Sequence, residues 1–497
     1  MREIELKFAS HPSFDLSSIR GRAGVVEVEQ LSPLTLHSAY YDTVDLRLAR
    51  NGVTLRHRTG DEGPMWTLKL PTADTRASIR DELDFETSSD EPPAEATELV
   101  AGFARTAALD QVAVLETKRD RWKLLGAGAA ELALVYDDEV AVIENGHVVT
   151  RFREIELESV SVGVKRVLAM GEALHDAGAV PCEPVPKAVR ALGPRATAPP
   201  DLPPVPALAP SAPGGDAVKA MMVRSVDRLI SHHAPARLGD DEGVHQMRVA
   251  VRRLRSDLRT FSPMIDQTWS TEVIPELKWL ADLLGDTRDL DVLSERFERT
   301  GSDLEPDIAP LLETMRGLRA DSRAALYGGL RSKRYGELLE KLVRSAQNAP
   351  LTAEAARPCS EILIPYVAAT WNKLRKSARP ARRSSSAEQL HKIRIRAKRV
   401  RYATEAIAPA LETEGGKAAN FARAAAKLQD VLGEHQDAIV AQARIRELVG
   451  NDPAKIFALA AGRLIERQQK SEAEARSAWR KAWKQLDRKK SRSWLKG

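Results

Sequence analysis

The chain has 497 residues, of which 43% are hydrophobic, 29% charged and 5% aromatic. This length exceeds that of a typical single domain, so we expect at least two hydrophobic cores in a soluble globular protein. The two cysteines, Cys182 and Cys359, lie far apart in the sequence and fit a reducing cytoplasm better than a disulfide framework. Because no apolar run approaches the roughly 20 residues of a membrane-spanning helix, we expect a cytoplasmic protein.

The net charge of +5 conceals an asymmetry along the chain. Residues 1–195 carry more Asp and Glu than Lys and Arg, whereas the remainder carries a large excess of Lys and Arg. A positive region joined to a negative one predicts that the positive region binds a polyanion.

Residues 1–195 are predicted to be mainly β, because short segments alternate polar and apolar residues with a period of two. These segments are Arg2–Phe8, Val53–Arg58, Trp66–Leu70, Arg80–Glu86, Glu131–Asp137 and Arg153–Leu157. One such strand alone is typical of a solvent-exposed face. Nearly every strand presents Arg, Lys or Glu to the same side, however, and a closed sheet would gather these side chains in one lumen. Guanidinium groups match phosphate oxygens, while carboxylates bind Mg²⁺ or Mn²⁺.

An ordered series of motifs in this region resembles the CYTH family of triphosphate tunnel metalloenzymes. EIELK at Glu3–Lys7 matches the family's ExExK signature. The motifs that follow in family order are YYDT at Tyr40–Thr43, LRHR at Leu55–Arg58, TLK ending at Lys69, RDE at Arg80–Glu82, KRDRW at Lys118–Trp122, VYDDEV around Asp137, EIELE at Glu154–Glu158 and PKAVR at Pro186–Arg190. The resemblance implies an α+β domain in which an eight-stranded antiparallel β tunnel with flanking helices binds a linear triphosphate.

The resemblance also implies a role for each matching residue. Phosphate contacts would come from Lys7, Arg56, Arg58, Lys69, Arg80, Arg119, Arg121, Lys187 and Arg190. Metal ligands would be Glu3, Glu5, Glu154, Glu156 and Glu158, and catalytic side chains would be Glu82, Asp84 and Asp137. The implied cofactor is Mg²⁺ or Mn²⁺. Because the family includes thiamine triphosphatases and adenylyl cyclases, thiamine triphosphate or ATP is an alternative substrate.

Residues 196–215, ATAPPDLPPVPALAPSAPGG, are predicted to form a linker, since this Pro- and Ala-rich run suits neither a helix nor a central strand. Residues 216–480 are predicted to be all-α, and they contain an internal repeat. HQMRVAVRRLR at His245 matches HKIRIRAKRVR at His391, and LLGDTRDLDVL at Leu283 matches VLGEHQDAIVA at Val431. Two copies of one helical unit should pack about a pseudo-twofold axis. The basic tail, residues 481–497, is expected to fray.

Each copy of the repeat carries a basic stripe at helical spacing. The stripes contain His245, Arg248, Arg252, Arg255 and Arg259 in the first copy and His391, Arg394, Lys398 and Arg401 in the second, with Arg253 and Arg399 alongside. An ordinary solvated face interleaves acids, whereas these stripes contain none before Asp257 and Glu405. Asp289 and Asp437 are predicted to neutralise part of the charge.

This half resembles the CHAD family, whose name refers to its histidines, and the likeness spans about residues 216–480. The resemblance implies two repeated four-helix units with a basic groove that binds inorganic polyphosphate. Nucleic acid is the competing polyanion, disfavoured by the scarcity of aromatic residues in the stripes.

The sequence therefore predicts an inorganic triphosphatase joined to a polyphosphate-binding domain, without membrane contact and associated with polyphosphate granules. The alternative is a non-catalytic, granule-associated protein that only binds polyphosphate.

Overall fold

The computed structural model describes residues 2–10, 14–60, 64–71, 78–87, 89–183, 185–449 and 455–496. The chain divides into two compact units, Met1–Asp201 and Leu202–Gly497. The boundary between them falls inside the segment predicted to be a linker, residues 196–215. Within the described residues, no helix combines the length and the apolar character that crossing a membrane requires.

The first unit is built on an antiparallel sheet to which the described residues contribute nine strands. They are β1 (Arg2–Ser10), β2 (Glu27–Asp42), β3 (Thr54–Thr59), β4 (Met65–Pro71), β5 (Ser78–Glu86), β6 (Asp110–Leu125), β7 (Glu131–Glu144), β8 (His147–Ser159) and β9 (Ala179–Pro181). Their order across the sheet is β5-β4-β3-β2-β6-β7-β8-β1-β9, and β1 also pairs with β5. Five of the six segments predicted as strands lie wholly within these elements, and the sixth, Val53–Arg58, begins one residue before β3.

The first eight strands form a closed ring of pairings. One part of β1 pairs with β5, with Ile4 opposite Ile79, and the next part pairs with β8, with Lys7 opposite Glu156. The eight-stranded prediction omitted β9, a short strand that pairs with the end of β1. A ring of antiparallel strands has one face turned inward and one outward, so alternate residues of each strand face its interior.

The outward face of the ring carries the main apolar core of this unit. The described α-helices of this unit are α1 (Arg47–Arg50), α2 (Ala94–Ala104), α3 (Val164–Asp176) and α4 (Lys187–Leu192). Phe8, Val135 and Leu157 from three strands pack in one buried cluster with Met170 and Leu174 of α3. Burial of these residues on the outer face fixes the phase of the strands, and it leaves their charged neighbours facing inward.

The second unit is helical. Its described helices are α5 (Gly214–Ser231), α6 (His233–Arg237), α7 (Asp241–Thr260), α8 (Gln267–Gly301), α9 (Ala309–Arg331), α10 (Lys333–Gln347), α11 (Cys359–Ala378), α12 (Ala387–Ile407), α13 (Glu412–Val449) and α14 (Lys455–Leu486). The predicted repeat corresponds to α7 and α8 in the first copy and to α12 and α13 in the second. Pro213 and Pro358, which directly precede α5 and α11, form an isolated antiparallel β-bridge with each other. That two complete four-helix units repeat stays a prediction.

The two repeat helices begin at side-chain caps that the sequence supplies. Asp240 accepts hydrogen bonds from the backbone N–H groups of Glu242 and Gly243 at the start of α7. Ser386 and Gln389 form a reciprocal capping box at the start of α12. These caps fix where each basic stripe begins.

The expectation that residues 481–497 form a frayed tail was wrong for its described part. Helix α14 continues to Leu486, and Trp494 is only 3% exposed. Its ring packs edge-on against Phe421, with ring centroids 5.6 Å apart. A single large aromatic residue therefore anchors the basic end, since burying an indole stabilises a segment that charge alone would leave in solvent.

Candidate phosphate-binding sites

The interior of the strand ring contains a polar cavity of about 250 Å³. Its lining comprises the cations Lys7, Arg56, Arg58, Lys69, Arg80, Arg119, Arg121 and Lys187, the carboxylates Glu5, Glu82, Glu156 and Glu158, and the side chains of Leu34, Tyr40, Thr54, Thr67, Tyr136 and Pro186. The inward phase of the strands thus gathers residues that are distant in sequence. Such a concentration of guanidinium and ammonium groups is suited to an anion with several phosphates.

Two lysines bind a cluster of acids at one side of this cavity. The Nζ atom of Lys7 lies 3.1 Å from Glu5 Oε1, 3.0 Å from Glu154 Oε1 and 2.5 Å from Glu156 Oε1. The Nζ atom of Lys187 lies 2.9 Å from Glu154 Oε1 and 2.5 Å from Glu156 Oε1. All five side chains are at least nine-tenths buried. The cluster is stable because every buried charge has a close partner of opposite sign.

Glu5 and Glu156 divide one proton between them unequally. Burial first, and then repulsion from Glu156, raises the pKa of Glu5 to about 7. Burial also opposes ionisation of Glu156, but Lys187, Lys7 and Arg119 outweigh it and hold the pKa of Glu156 well below its ordinary value. The proton therefore resides on Glu5 at mildly acidic pH. A second positive charge in place of that proton would let both carboxylates ionise.

Two arginines of β3 differ from the lysines, because no carboxylate among the described residues pairs with them. Arg56 is 9% exposed and donates from Nη2 to Thr67 Oγ1 at 3.3 Å. The Nε atoms of Arg56 and Arg58 are buried without a hydrogen-bond acceptor. Burial, followed by repulsion from Arg56 and Arg119, lowers the pKa of Arg58 to about 10. These guanidinium groups present uncompensated positive charge to the cavity.

The second unit holds a smaller basic cavity between α7 and α12. It measures about 210 Å³ and is lined by Arg252, Arg255, Ser256, Arg259, Ile395, Lys398 and Arg399. The described residues supply no ion pair to any of its five cations. Like charges packed this closely repel one another, so the arrangement favours a bound polyanion.

Comparison with known families finds one match on each side of the boundary between the two compact units. The CYTH domain model matches residues 1–169, and the CHAD domain model matches residues 220–446. The chain belongs to the CYTH and CHAD families. The uncharacterized protein Rv2226 of Mycobacterium tuberculosis strain H37Rv is 33% identical over 471 residues, which cover 88% of this chain and 87% of the relative. Both halves are therefore shared with one relative.

Two solved structures resemble somewhat more than half of the chain. PptA from Streptomyces chartreusis is 20% identical, with a TM-score of 0.46, and the match covers 55% of this chain and 100% of PptA. A CHAD domain from the plant Ricinus communis is 25% identical, with a TM-score of 0.46, and the match covers 56% of this chain and 94% of the plant domain. The CYTH match places the first domain in a family of phosphoanhydride hydrolases and cyclases.

Most phosphate contacts predicted for the CYTH domain lie in its cavity, and Arg190 does not. Arg190 donates from Nη1 to Glu154 Oε2 at 2.7 Å, behind the lining. Glu154 itself is 1% exposed and supports Lys7, Lys187 and Arg190 instead of facing the cavity. The side chain of Glu3, a predicted metal ligand, lies outside the described residues.

The predicted catalytic residue Asp137 faces the wrong side of β7. Its carboxylate accepts from Arg153 Nε and Nη2 at 2.8 and 2.6 Å on the outer face of the ring. Its neighbour Asp138, which was not predicted, is fully buried and accepts from Arg119 Nε and Nη2 at 2.8 and 2.6 Å. Asp138 also lies 3.0 Å from Lys187 Nζ. Its position opposite Glu154 in the β7–β8 pairing explains its inward orientation.

The other two predicted catalytic residues occupy different positions. Glu82 lines the cavity, 3.5 Å from Lys69 Nζ. Asp84 is not part of the lining, and its Oδ1 accepts from Thr67 Oγ1 at 3.0 Å. Because Thr67 in turn accepts from Arg56, Asp84 is linked through Thr67 to a candidate phosphate-binding residue.

The structure divides the predicted polyphosphate-binding residues of the CHAD domain into two groups. Arg252, Arg255, Arg259, Lys398 and Arg399 share the basic cavity. The others lie outside its lining: Arg248 pairs with Asp289 at 2.6 Å, Arg394 with Asp437 at 3.9 Å, and Arg253 and Arg401 both pair with Glu405. The predicted neutralisation by Asp289 and Asp437 is confirmed.

The two histidines of the CHAD repeat are also outside the cavity lining. Burial, together with Arg288, Arg248 and Arg252, lowers the pKa of His245 despite the nearby Glu242. The lowered pKa favours the neutral imidazole of His245 in the protein without a bound anion. The Nδ1 atom of His391 is buried without a hydrogen-bond partner.

Proposed function

We propose that the CYTH domain hydrolyses inorganic triphosphate to diphosphate and phosphate with Mg²⁺ or Mn²⁺, and that the CHAD domain binds inorganic polyphosphate. The observation that carries the first part is the pair Arg56 and Arg58. Both guanidinium groups face the cavity with no described carboxylate partner, at a cost in stability that a bound phosphate would offset.

The lining favours an inorganic substrate over a nucleotide or thiamine. Tyr40 and Tyr136 are the aromatic residues that the described lining contains. The guanidinium carbon of Arg119 lies 3.9 Å from the centroid of the Tyr136 ring, so the face of this ring is already covered. A nucleobase or thiazolium ring would need such a face for stacking. A substrate panel of triphosphate, thiamine triphosphate and ATP tests this preference.

The acids of the cavity fit a divalent cation in part. Glu5 and Glu156 present adjacent carboxylates that share one proton, and Glu158 lines the same cavity. Among the described residues, no three or more His, Cys, Asp or Glu side chains are already arranged around one point as ligands of a metal ion. We assign Glu5, Glu156 and Glu158 as the residues that would hold the cation. When bound, it would neutralise charge on the phosphate oxygens.

The chain's own residues supply the remaining functions. Arg56 and Arg58 would bind phosphate oxygens, and Lys7 and Lys187 would do so from the acid cluster that holds them. Glu82, which lines the cavity, would orient the attacking water. Asp138 keeps Arg119 and Lys187 directed toward the substrate.

Release of phosphate from triphosphate, measured with Mg²⁺, with Mn²⁺ and with a chelator, tests the enzymatic proposal. We expect turnover that depends on the metal and that Glu156→Gln abolishes. Arg153→Gln is a matched control on the outer face, and it should retain turnover. Triphosphate binding without turnover would contradict the proposal and support the alternative, a CYTH domain that only binds. That alternative is favoured by the close pairing of Glu154 and Glu156 with lysines.

Binding of long-chain inorganic polyphosphate to the full chain tests the second part. Charge reversal at Arg252 and Lys398 places two acids in the basic cavity, so we expect binding to be lost while turnover of free triphosphate continues. Equal loss of both activities would contradict separate roles for the two domains. Competition with DNA at the same ionic strength distinguishes polyphosphate from nucleic acid.

A further inference from the structure

The repeat relates the two sides of the α7–α12 contact residue by residue. Laying His245 on His391 places Arg253 on Arg399, Arg255 on Arg401 and Arg259 on Glu405. The structure supports this correspondence, because Arg248 with Asp289 and Arg394 with Asp437 make the same ion pair in each copy. The last of the three aligned pairs is a change of charge: an arginine stands in α7 where α12 has a glutamate.

Because of this difference, the contacts at two equivalent positions of the repeat are attractive in one case and repulsive in the other. On one side of the α7–α12 contact, Arg253 donates from Nη2 to Glu405 Oε2. Arg401 donates from Nε to Glu405 Oε1 at 2.8 Å. The single carboxylate thereby neutralises two arginines, and both of them lie outside the lining of the basic cavity.

On the other side, the partner that corresponds to Glu405 is Arg259, which faces Arg399. Burial, followed by repulsion from Arg259, lowers the pKa of Arg399. The pKa of Arg255 is lowered by the same two causes, and the described residues provide no ion pair to any of these three arginines. The chain therefore keeps a repulsive cluster of arginines on one side while it neutralises the equivalent cluster on the other.

We propose that Glu405 closes one of two equivalent anion subsites, so that polyphosphate is held at the Arg255, Arg259 and Arg399 subsite alone. This inference rests on the proposed binding of polyphosphate by the CHAD domain. A one-sided site engages a chain with fewer cations than a symmetric groove would, and it gives the bound chain a defined position relative to the two repeats. Glu405 is thus a determinant of specificity that contacts no ligand.

The affinity of the full chain for long-chain inorganic polyphosphate, measured at several salt concentrations, tests the proposal. Glu405→Gln frees Arg253 and Arg401 for phosphate, so we expect affinity to rise about tenfold. The slope of log affinity against log salt concentration should become steeper by roughly one to two, because that many more counterions are released on binding. Glu388→Gln is a matched control, because it removes an exposed acid that pairs with Lys392 on the same helix. It should change affinity less than twofold.

A charge exchange distinguishes this role from a structural one. Arg259→Glu closes the open subsite, so affinity should fall at least about tenfold. Combining it with Glu405→Arg moves the open subsite to the other copy, and affinity should return to within about threefold of the wild type. Circular dichroism monitors folding, and the exchange variant keeps the net charge.

The outcomes separate this inference from the function on which it rests. If the wild type does not bind polyphosphate, the proposed function of the CHAD domain is wrong. If the wild type binds but Glu405→Gln leaves affinity and salt dependence unchanged, the subsite inference is wrong. Failure of the exchange variant to recover binding, while it remains helical, also overturns the inference.

Discussion

Replacing Arg58 with methionine should weaken triphosphate binding and stabilise the CYTH domain at the same time. A pKa lowered from its ordinary value to about 10 corresponds to roughly 3 kcal/mol of free energy that opposes the charged form. Part of the side chain remains in contact with solvent, so we expect a gain of about 1–2 kcal/mol in the free energy of local unfolding. Methionine retains the apolar stem and removes the unpaired charge.

The same substitution removes charge-assisted hydrogen bonds to phosphate. Such bonds contribute about 1.5–3 kcal/mol, so the KM for triphosphate should rise roughly 10- to 100-fold. Hydrogen exchange in peptides covering Trp66–Leu70 reports local stability, because His57 of β3 lies opposite Trp66 of β4. We expect slower exchange in the variant without ligand. Added triphosphate should slow exchange in the wild type, and it should leave exchange in the variant unchanged.

Lys123→Met is the matched control for loss of a cation. Lys123 lies on β6 but is not part of the cavity lining. It pairs with Glu131 near the surface of the domain. Its substitution should change KM less than twofold. Faster exchange in Arg58→Met, or a KM equal to that of the wild type, would refute the assignment of Arg58 as an unpaired phosphate-binding residue.

Three further predictions concern other residues. Asp138→Asn should lower kcat/KM for triphosphate roughly 10- to 100-fold through loss of charged hydrogen bonds, whereas Asp137→Asn should stay within twofold; equal effects would contradict the assigned orientations. Burial raises the pKa of Asp257 to about 7; the folded protein then holds a proton that the unfolded chain releases, so stability falls as pH rises from about 4 to 7. Asp257→Asn should remove that fall and exceed the wild type by on the order of 2–4 kcal/mol at pH 8, and parallel pH profiles in urea unfolding would refute this. Trp494→Ala should cost about 3–5 kcal/mol of stability, and an unchanged melting temperature would show that its contact with Phe421 does not anchor the chain end.

The alternation of charged and apolar residues predicted the strands and most of the cavity lining. It succeeded where the phase is unambiguous, as in β8, where Ile155 and Leu157 are buried and the intervening Glu156 must face inward. It failed in β7 because Asp137 and Asp138 are adjacent and either phase leaves one aspartate inside. Only pairing with β8, which tertiary structure determines, decides between them.

The basic stripes were predicted from helical spacing, which places residues on one face of an isolated helix. Spacing alone did not show that Arg253 would meet Glu405 of α12 while Arg259 would meet Arg399. Those contacts depend on how α7 and α12 cross, and no local pattern encodes the crossing. The folded end of the chain was missed for a related reason: the charge around Trp494 concealed one aromatic residue whose partner, Phe421, lies far away in sequence.

The closed ring of strands has a consequence for the synthesis of the CYTH domain. The strand β1 leaves the ribosome before β8, yet its Lys7 pairs with Glu156 of β8, so the acid cluster cannot assemble until β8 has been translated. At roughly 5–20 residues per second, this delay lasts on the order of ten seconds. During that interval Lys7 and Glu5 lack their partners, and a chaperone that shields the nascent strand would act on the same residues that we propose bind phosphate and metal.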